Sequence, residues 1–367
     1  MKILFLQFPL QPAWGGAESH TLLLAQGLKK HGCEIFLCSS NKTLVNQFRR
    51  HGLAATYSWV GWEPTSIKSL LLFPLTFYIA LVKFGFQLWR LHPDVIFCLS
   101  LTDKLIATVL SPLSLFSKVI WIEHTRLGNW IFKSPLKPWY QLLSQTVPVI
   151  APSKFISEQL IKCGVKKRQI KIIYPGIISS QSTPPPAPER KPDTFTLGFL
   201  GRLTKEKGAD FLINAIRRAP QPDQLRLLIG GTGPELPHLK QLVQKLNLGK
   251  QVFFLGYIEN KKEFFSKIQA LIIPSTRPEA FGLVALEAMA CGVPVVASGW
   301  GGIKEVIDHK KTGLLFEPKD PDSLWEQIRF CQNQQEALKE IVRQAQKVAV
   351  SRFSITKMID EYAKLLR

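Results

Sequence analysis

Two glutamates, Glu279 and Glu287, lie just before and inside a helix that is predicted to begin near Phe281 and Gly282. The backbone N–H groups of Phe281, Gly282 and Leu283 would have no partner within that helix, which makes the segment a candidate anion site. Gly282 would let a ligand approach closely, and the Glu287 carboxylate can accept hydrogen bonds from sugar hydroxyls. A structural interpretation stays open, in which the helix dipole favours Glu279 and Glu287 is solvated.

Two cations, Arg202 and Lys207, lie in a loop that follows a predicted strand and precedes a helix. A planar guanidinium and a compact ammonium can together clamp a diphosphate. A solvated charged loop is the alternative, and we adopt it for the neighbouring Lys205 and Glu206. For Arg202 and Lys207 the functional interpretation is favoured because other phosphate-like loops occur in the same chain.

The first half of the chain contributes two further candidates. Gly15 and Gly16 lie between the first predicted strand and a helix, where their amides could face a phosphate or a sugar. Neither a complete GxGxxG nor a GxxxxGKS/T pattern occurs, so a dinucleotide cofactor or a P-loop has little support. His124 ends a predicted strand and could bond a sugar hydroxyl or stabilise developing charge, although a lone histidine is usually not catalytic.

These candidates must be positioned by the elements around them. Short, continuously apolar runs alternate with stretches of helical spacing, which predicts parallel strands covered on both faces. The predicted strands are 2–8, 34–38, 94–98, 118–123, 147–151, 170–174, 195–201, 225–230, 251–255, 270–274, 293–297 and 313–316. A proline-rich linker at 179–193 divides them. We therefore expect two doubly wound, Rossmann-like α/β domains, 1–178 and 194–347, facing across a cleft at the carboxyl ends of their strands.

Composition limits the class of partner. The chain has 367 residues and a formal net charge of +20, and residues 1–180 carry 20 basic and 7 acidic side chains. Such a charge predicts contact with a phospholipid surface, a diphosphate or nucleic acid, but no RNP, helix-turn-helix or finger pattern supports nucleic acid. The six cysteines form no CxxC or CxxH pair, so we expect no zinc site. Most of them lie in or beside apolar segments, as free buried cysteines do, which predicts a reducing compartment. The first residues resemble a buried strand rather than a signal peptide, which predicts a cytoplasmic protein.

Taken together, these segments resemble the retaining nucleotide-sugar glycosyltransferases of family 4, the glycosyl transferases group 1, which have the GT-B fold. The Glu-x7-Glu block is highly specific to that family, whereas the glycine loops alone are not. The matching residues follow the family's order over nearly the whole chain: Gly15-Gly16-Ala17-Glu18, Pro152-Ser153, Gly201-Arg202, Lys207-Gly208, Pro274-Ser275, Glu279-Ala280-Phe281-Gly282-Leu283, Glu287-Ala288-Met289-Ala290, Gly292, Pro294-Val295-Val296, Gly301-Gly302 and Glu305.

The resemblance implies a donor site. Arg202 and Lys207 would neutralise the donor diphosphate, so that neither a metal ion nor a cofactor is expected. Glu287 would hold the ribose hydroxyls. The donor sugar and diphosphate would be held by Glu279 and by the amides of Phe281, Gly282 and Leu283.

The resemblance also implies roles outside that segment. His124 would contact the sugar, and Gly16 would lie near the donor phosphate and the acceptor. The base would rest near Gly256-Tyr257-Ile258, held largely by backbone. A C-terminal helix at 348–367 would cross back to the first domain.

The implied activity is transfer of a hexosyl unit from a UDP-, GDP- or ADP-sugar to a glycan or lipid-linked acceptor. The family retains the anomeric configuration, and the context would be cell-envelope, polysaccharide or glycolipid synthesis. A GT-B epimerase or phosphorylase is one alternative. A sugar- or lipid-binding protein without activity is another. The sugar, base, linkage, acceptor and oligomeric state stay open.

Residues 57–91 raise the question of a membrane, because they combine many aromatic and aliphatic side chains with one carboxylate, Glu63. The uncharged run 69–82 is shorter than the ~20 residues that span a bilayer. Three interpretations stay open, namely a buried core helix, a membrane-docking element and a true span. The charge of this half favours an anionic membrane surface, and with it a peripheral location on the cytoplasmic face.

Overall fold

The computed structural model describes residues 1–8, 14–59, 71–111, 117–132, 134–178, 194–219 and 222–366. The chain forms two compact units, one comprising Met1–Tyr174 with Met358–Arg367 and the other Pro175–Lys357. The proline-rich linker expected at 179–193 lies outside the described residues.

The first unit contains a seven-stranded parallel sheet in the order β3-β2-β1-β4-β5-β6-β7. Its central strands consist of continuous apolar residues because helices cover both faces of the sheet. The strand order reverses between β1 and β4, the point at which ligands bind in open α/β sheets. The strands are β1 (Lys2–Gln7), β2 (Glu34–Ser39), β3 (Ala54–Tyr57), β4 (Val95–Cys98), β5 (Lys118–Ile122), β6 (Val149–Ala151) and β7 (Ile170–Ile172).

Helices connect successive strands of this unit, as parallel pairing requires. They are α1 (Gly16–Lys30), α2 (Lys42–Arg50), α3 (Phe73–Leu91), α4 (Leu101–Leu110), α5 (Asn129–Phe132), α6 (Lys137–Leu143) and α7 (Lys154–Cys163).

The second unit has a six-stranded parallel sheet in the order β10-β9-β8-β11-β12-β13. Its strands are β8 (Phe195–Leu200), β9 (Leu225–Gly230), β10 (Val252–Gly256), β11 (Ala270–Ile273), β12 (Val295–Ser298) and β13 (Leu314–Phe316). Its core joins strand and helix side chains, among them Leu197, Ile213, Leu227, Ile272 and Leu324.

The helices of this unit lie between and after those strands. They are α8 (Ala209–Arg217), α9 (Leu236–Lys245), α10 (Lys261–Ser266), α11 (Leu283–Ala290), α12 (Ile303–Val306), α13 (Pro321–Asn333) and α14 (Gln335–Arg352). The last helix, α15 (Ile355–Leu366), begins in the second unit, and from Met358 onward it belongs to the first. The predicted helix 348–367 is thus divided near Phe353 into the end of α14 and all of α15.

The prediction of two doubly wound α/β sheets is confirmed. The predicted strands all occur, with ends shifted by no more than two residues. The sequence does not predict strand β3 because it is a largely exposed edge strand, Ala-Ala-Thr-Tyr, without an apolar run.

Helix α3 carries apolar side chains on two opposite faces. One face is buried in the first unit, and it consists of Phe73, Thr76, Ala80, Phe84 and Leu88. The other face is exposed and consists of Leu75, Tyr78, Val82, Phe86 and Trp89. Leu71, just before the helix, is exposed as well and is counted with this face. Helix α3 is therefore not buried on all sides. Within the described part of the chain, no helix combines the length and the apolarity that crossing a membrane requires.

Candidate active site

The ammonium of Lys207 and the carboxylate of Glu279 form an ion pair in the second unit. Lys207 Nζ lies 2.7 Å from Oε1 and 2.9 Å from Oε2 of Glu279, so it donates to both oxygens. The hydroxyl of Ser275 also donates to Oε1. The pair is largely withdrawn from water, since the exposed fraction is 29% for the Lys207 side chain and 14% for that of Glu279.

A tight approach of two loops makes this ion pair possible. Lys207 ends the 3-10 turn Lys205–Lys207, and Thr276 donates to two carbonyl groups of that turn, through its N–H at 2.9 Å and its hydroxyl at 3.0 Å. Gly208 follows with a φ of 70°, and a Cβ there would lie 2.0 Å from the carbonyl oxygen of Pro274. Glycine is therefore required at position 208 by both its backbone conformation and the space available.

The surroundings of Glu279 keep it ionised. Burial by itself would raise the pKa of this carboxyl, but the ammonium of Lys207, the hydroxyl of Ser275 and the guanidinium of Arg202 lower the pKa below its ordinary value. A carboxylate offers about four lone-pair sites, so Glu279 keeps acceptor capacity beyond the bonds to Lys207 and Ser275.

Arg202 lies just after β8 with its side chain exposed. Its loop is held by backbone bonds of the next residue, since the N–H of Leu203 donates to Thr232 at 2.9 Å and its carbonyl accepts from Glu235 at 3.0 Å. No ion pair links the Arg202 guanidinium to another residue that the structure describes, and it acts on Glu279 through its charge. Its planar fork is available to an anion.

Glu287, in α11, has a different partner. Its Oε1 lies 2.5 Å from Nζ of Lys261, the first residue of α10. Its Oε2 is buried and accepts no hydrogen bond from any described residue. The Glu287 side chain is only 16% exposed, so it is not the solvated glutamate of the structural interpretation. A buried carboxylate oxygen that lacks a donor is costly, and a ligand hydroxyl could supply one.

Helix α11 begins at Leu283, slightly later than predicted. Gly282 caps it with a φ of 111°, and a Cβ there would lie 2.4 Å from Cδ1 of Ile303. The positive φ is what favours glycine here, since Cδ1 is the mobile end of the Ile303 side chain. The N–H of Leu286 bonds the Gly282 carbonyl at 3.2 Å, so the N–H groups of Gly282 and Leu283 precede the helical bonds and can face an anion. Phe281 is buried against Phe353 at a ring distance of 5.5 Å.

Ile258 follows β10 and is half-buried. A Cβ on Gly230, at the end of β9, would lie 2.6 Å from Cγ1 of Ile258, so the two residues are in close contact. The neighbouring Tyr257 side chain is exposed. This arrangement leaves backbone groups around Ile258 at the carboxyl ends of β9 and β10, where the resemblance locates the base.

His124 and Gly16 belong to the first unit, whereas the other candidates belong to the second. Gly16 is exposed and opens α1, a helix of 15 residues, after Gly15. Glu18, in the first turn, is buried and accepts from Nε2 of Gln7 at 3.2 Å. The N–H groups of Gly16 and Ala17 precede the first helical bond of α1, but Glu18 adds a carboxylate to the same turn.

His124 lies in a buried polar cluster. The Thr21 hydroxyl donates to the carbonyl of Ala17 at 2.9 Å, so toward Nε2 of His124, 3.4 Å away, it can only accept. This assigns the proton of His124 to Nε2 and leaves Nδ1 as an acceptor for a hydroxyl donor. Burial, together with the charges of His20 and Lys104, holds the pKa of His124 well below its ordinary value, so the ring is neutral.

The residues around His124 fix its position. The ring of His20 packs edge-on against it at 5.0 Å, and burial lowers the pKa of His20 to about 4. Glu123, the preceding residue, is buried and pairs with Lys104 at 2.6 Å while accepting from the Tyr140 hydroxyl at 2.7 Å. These bonds anchor the carboxyl end of β5.

Sequence reasoning missed two contributors, Lys261 and His20, and one contact of a third residue, Ser275. Lys261 adjoins Lys262 in a polar stretch, and no pattern distinguishes one lysine from the other. His20 occupies an inward position of α1 that would ordinarily be apolar. Ser275 belongs to the Pro274-Ser275 motif, but its bond to Glu279 cannot be inferred from the sequence.

Two family models match consecutive parts of the chain. The model of Glycosyltransferase Family 4 matches residues 14–181, and that of Glycosyl transferases group 1 matches residues 182–348. Together they extend over most of the chain, and their boundary falls within the proline-rich linker.

Parts of the chain are also similar in sequence to individual proteins. An uncharacterised glycosyltransferase of Methanocaldococcus jannaschii is 33% identical over 193 residues, which are 49% of this chain and 49% of that protein. The N-acetyl-alpha-D-glucosaminyl L-malate synthase of Bacillus anthracis is 32% identical over 163 residues, 44% of this chain and 42% of the enzyme. The chain thus spans about half the length of these curated relatives or less.

Among solved structures, Anabaena HepE in complex with UDP and glucose superposes with a TM-score of 0.83. The superposition covers 100% of this chain and 99% of that one, at 23% sequence identity. This likeness establishes the fold that the two chains share.

Proposed function

Because this chain belongs to the group 1 glycosyl transferases of family 4, we propose that it transfers a hexosyl unit from a nucleoside diphosphate sugar. The observation that carries the proposal is the ion pair of Lys207 with Glu279, a residue just before α11, together with the charge of Arg202 that acts on the same carboxylate. The two cations and the helix start supply positive charge for a departing diphosphate. The carboxylate of Glu279 supplies acceptors for sugar hydroxyls.

The resemblance assigns roles to the other candidates in each unit as well. Glu287 binds the ribose hydroxyls, and backbone near Ile258 receives the base. His124 accepts a hydrogen bond from a sugar hydroxyl at Nδ1, and Gly16 lies near phosphate. The bound UDP and glucose of Anabaena HepE, which has the same fold, support a nucleotide sugar as the donor, whether UDP-, GDP- or ADP-linked.

The proposed transfer retains the anomeric configuration. The bond from the donor's anomeric carbon to the diphosphate oxygen breaks, and the acceptor oxygen forms its bond on the same face. The departing phosphate oxygen takes the acceptor's proton, so no separate base is required. Arg202, Lys207 and the helix start balance the charge of the leaving group, and the proposal therefore includes no metal ion and no cofactor.

A donor screen followed by product analysis tests this proposal. We expect a UDP-, GDP- or ADP-hexose to raise the thermal midpoint, since a ligand at ~100 times its Kd stabilises the native state by about 2.7 kcal/mol. With that donor and an acceptor, NMR of the product should show the same anomeric configuration as the donor. An inverted product would contradict retention, and absence of stabilisation by all three donor classes would contradict the proposed function.

The same experiment separates the rival functions. Conversion of the donor to an epimer without any acceptor would indicate an epimerase. Stabilisation without turnover, across glycan and lipid-linked acceptors, would indicate a sugar-binding protein. Intact Glu279, Glu287, Arg202 and Lys207 favour an enzyme over a sugar-binding protein without activity.

We further propose that the acceptor is a glycan or lipid-linked molecule of the cell envelope and that the enzyme works on the cytoplasmic face of a membrane. The support is the exposed face of α3, defined here as Leu71, Leu75, Tyr78, Val82, Phe86 and Trp89. Leu71 is 77% exposed and Trp89 is 70% exposed. A helix of 19 residues is about 28 Å long, so this apolar face is extended.

Charge and residue type favour a lipid surface as the occupant of this face. Lys83 and Arg90 flank it, and residues 71–91 contain no carboxylate. Trp and Tyr side chains are typical of membrane interfaces, and anionic lipids attract adjacent cations. A second copy of this chain is a poorer occupant, because two surfaces with an excess of positive charge would repel each other.

Replacing Leu75, Phe86 and Trp89 together by glutamine should abolish flotation of the protein with vesicles of phosphatidylcholine and phosphatidylglycerol. The reason is that the variant removes apolar area from one exposed helix face and leaves the buried face intact. Flotation in a density gradient, with the protein quantified in the top fraction, is the measurement.

A control variant tests whether the effect is specific to this face. Leu142→Gln with Ile161→Gln alters exposed apolar side chains on other helices of the same unit and should float as wild type. Equal recovery of wild type and triple variant would contradict membrane docking by α3. Loss of a dimer in sedimentation, rather than loss of flotation, would assign the face to a second copy.

A further inference from the structure

The ammonium of Lys207 is already engaged by the residue beside it. An ammonium has three donors, and two of them point at Oε1 and Oε2 of Glu279. A diphosphate that binds Lys207 must therefore share this cation with the Glu279 carboxylate or displace it.

Neither partner can withdraw by moving its backbone. The turn that carries Lys207 is bonded twice to Thr276, and Gly208 is in close contact with the Pro274 carbonyl. The backbone of Glu279 is held as well, since its carbonyl accepts from the N–H of Gly302 at 2.8 Å. Any exchange must therefore be made by the Lys207 and Glu279 side chains.

We propose that Glu279 competes with the donor's diphosphate for Lys207, and that this competition weakens binding of the nucleoside diphosphate product more than binding of the nucleotide sugar. The inference rests on the proposed function. With the nucleotide sugar, the carboxylate that gives up Lys207 gains hydrogen bonds from sugar hydroxyls. With the nucleoside diphosphate alone, the Glu279 carboxylate gains no such hydrogen bonds and lies beside the negatively charged diphosphate. The product is therefore released more readily.

Binding of UDP and UDP-glucose to wild type and to Glu279→Gln, measured by titration calorimetry, tests this inference; the GDP or ADP pair is used if the donor screen selects that base. We expect the nucleoside diphosphate to bind the variant roughly tenfold more tightly, because a hydrogen bond to a charged group is worth about that factor. We also expect the variant's preference for the nucleotide sugar over the diphosphate to fall. Unchanged or weaker diphosphate binding by Glu279→Gln would overturn the inference.

A double-mutant cycle shows whether Lys207 mediates the effect. If the two anions compete for its ammonium, Lys207→Ala should cost more diphosphate affinity in the Glu279→Gln background than in wild type. Equal costs in the two backgrounds would overturn the competition.

Matched controls complete the test. Glu263→Gln disrupts an exposed glutamate–lysine pair of the same unit and should leave both affinities unchanged. A change of similar size in Glu263→Gln would show that the effect is not specific to Glu279 and would also overturn the inference. Wild type that binds no nucleoside diphosphate at all would instead contradict the proposed function.

Discussion

Replacing Lys207 by alanine lowers kcat/KM for the nucleotide sugar by more than tenfold while the chain stays folded. The physical reason is that Lys207 supplies a cation where the leaving diphosphate accumulates charge, in a site largely closed to water. Loss of one such group costs about 2–4 kcal/mol of transition-state stabilisation. Arg202→Ala should have an effect of the same order, because its guanidinium acts on the same charge. Steady-state kinetics with a saturating acceptor is the measurement.

Lys205→Ala is the matched control for Lys207→Ala. Lys205 lies in the same 3-10 turn, but its side chain is exposed, and only its backbone carbonyl takes part in the turn's bonds. We expect near-wild-type kinetics from it. Near-normal turnover in a folded Lys207→Ala variant would refute the role assigned to that ammonium.

Glu287→Ala raises the KM for the donor by roughly tenfold to hundredfold and changes kcat much less. A carboxylate that accepts from ribose hydroxyls makes bonds of about 1.5–3 kcal/mol each. Those bonds are the same in the ground state and the transition state, so their loss appears in KM. Kinetics over a range of donor concentrations separates the two parameters.

The partner of Glu287 allows a second comparison. Lys261→Met should weaken donor binding less than Glu287→Ala does, because it leaves the carboxylate in place and removes only the ammonium 2.5 Å away. Glu326→Ala, an exposed glutamate of α13, should leave donor binding unchanged. A large fall in kcat at constant KM in Glu287→Ala would contradict binding of ribose by this residue.

The strands were predictable because parallel strands covered on both faces must be continuously apolar. Strand β3 could not be predicted in this way. It lies at the edge of its sheet and is largely exposed, so its sequence contains no apolar run. The segment 57–91 illustrates a different limit. Its composition indicates a lipophilic helix, but only tertiary packing shows that Phe84 and Leu88 face the protein while Phe86 and Trp89 do not. Residues 60–70 of that segment lie outside the described residues.

The site was predictable as a set of residues and not as a set of pairs. Arg202, Lys207 and Glu279 are recognisable candidates because each residue type suits a diphosphate or a sugar. That Lys207 binds Glu279 depends on contact between two loops 72 residues apart. The pairing of Glu287 with Lys261 likewise arises because α10 and α11 approach each other, which no local pattern encodes.

His124 shows how the structure adds chemistry to a residue that the sequence leaves uncertain. A histidine at a strand end is ambiguous by itself. The buried Thr21 hydroxyl already donates to the Ala17 carbonyl, so it accepts from His124 and the proton of His124 lies on Nε2. The His20 ring packs against one side of the His124 ring. Both depend on the packing of α1 against the carboxyl end of β5.

A crystal structure of the chain soaked with the nucleoside diphosphate selected in the donor screen would show which groups hold the diphosphate. We expect Lys207 Nζ and the Arg202 guanidinium to lie within about 3.2 Å of diphosphate oxygens, with the N–H groups of Gly282 and Leu283 directed at the same group. A nucleotide bound elsewhere, with both cations turned to solvent, would contradict this expectation.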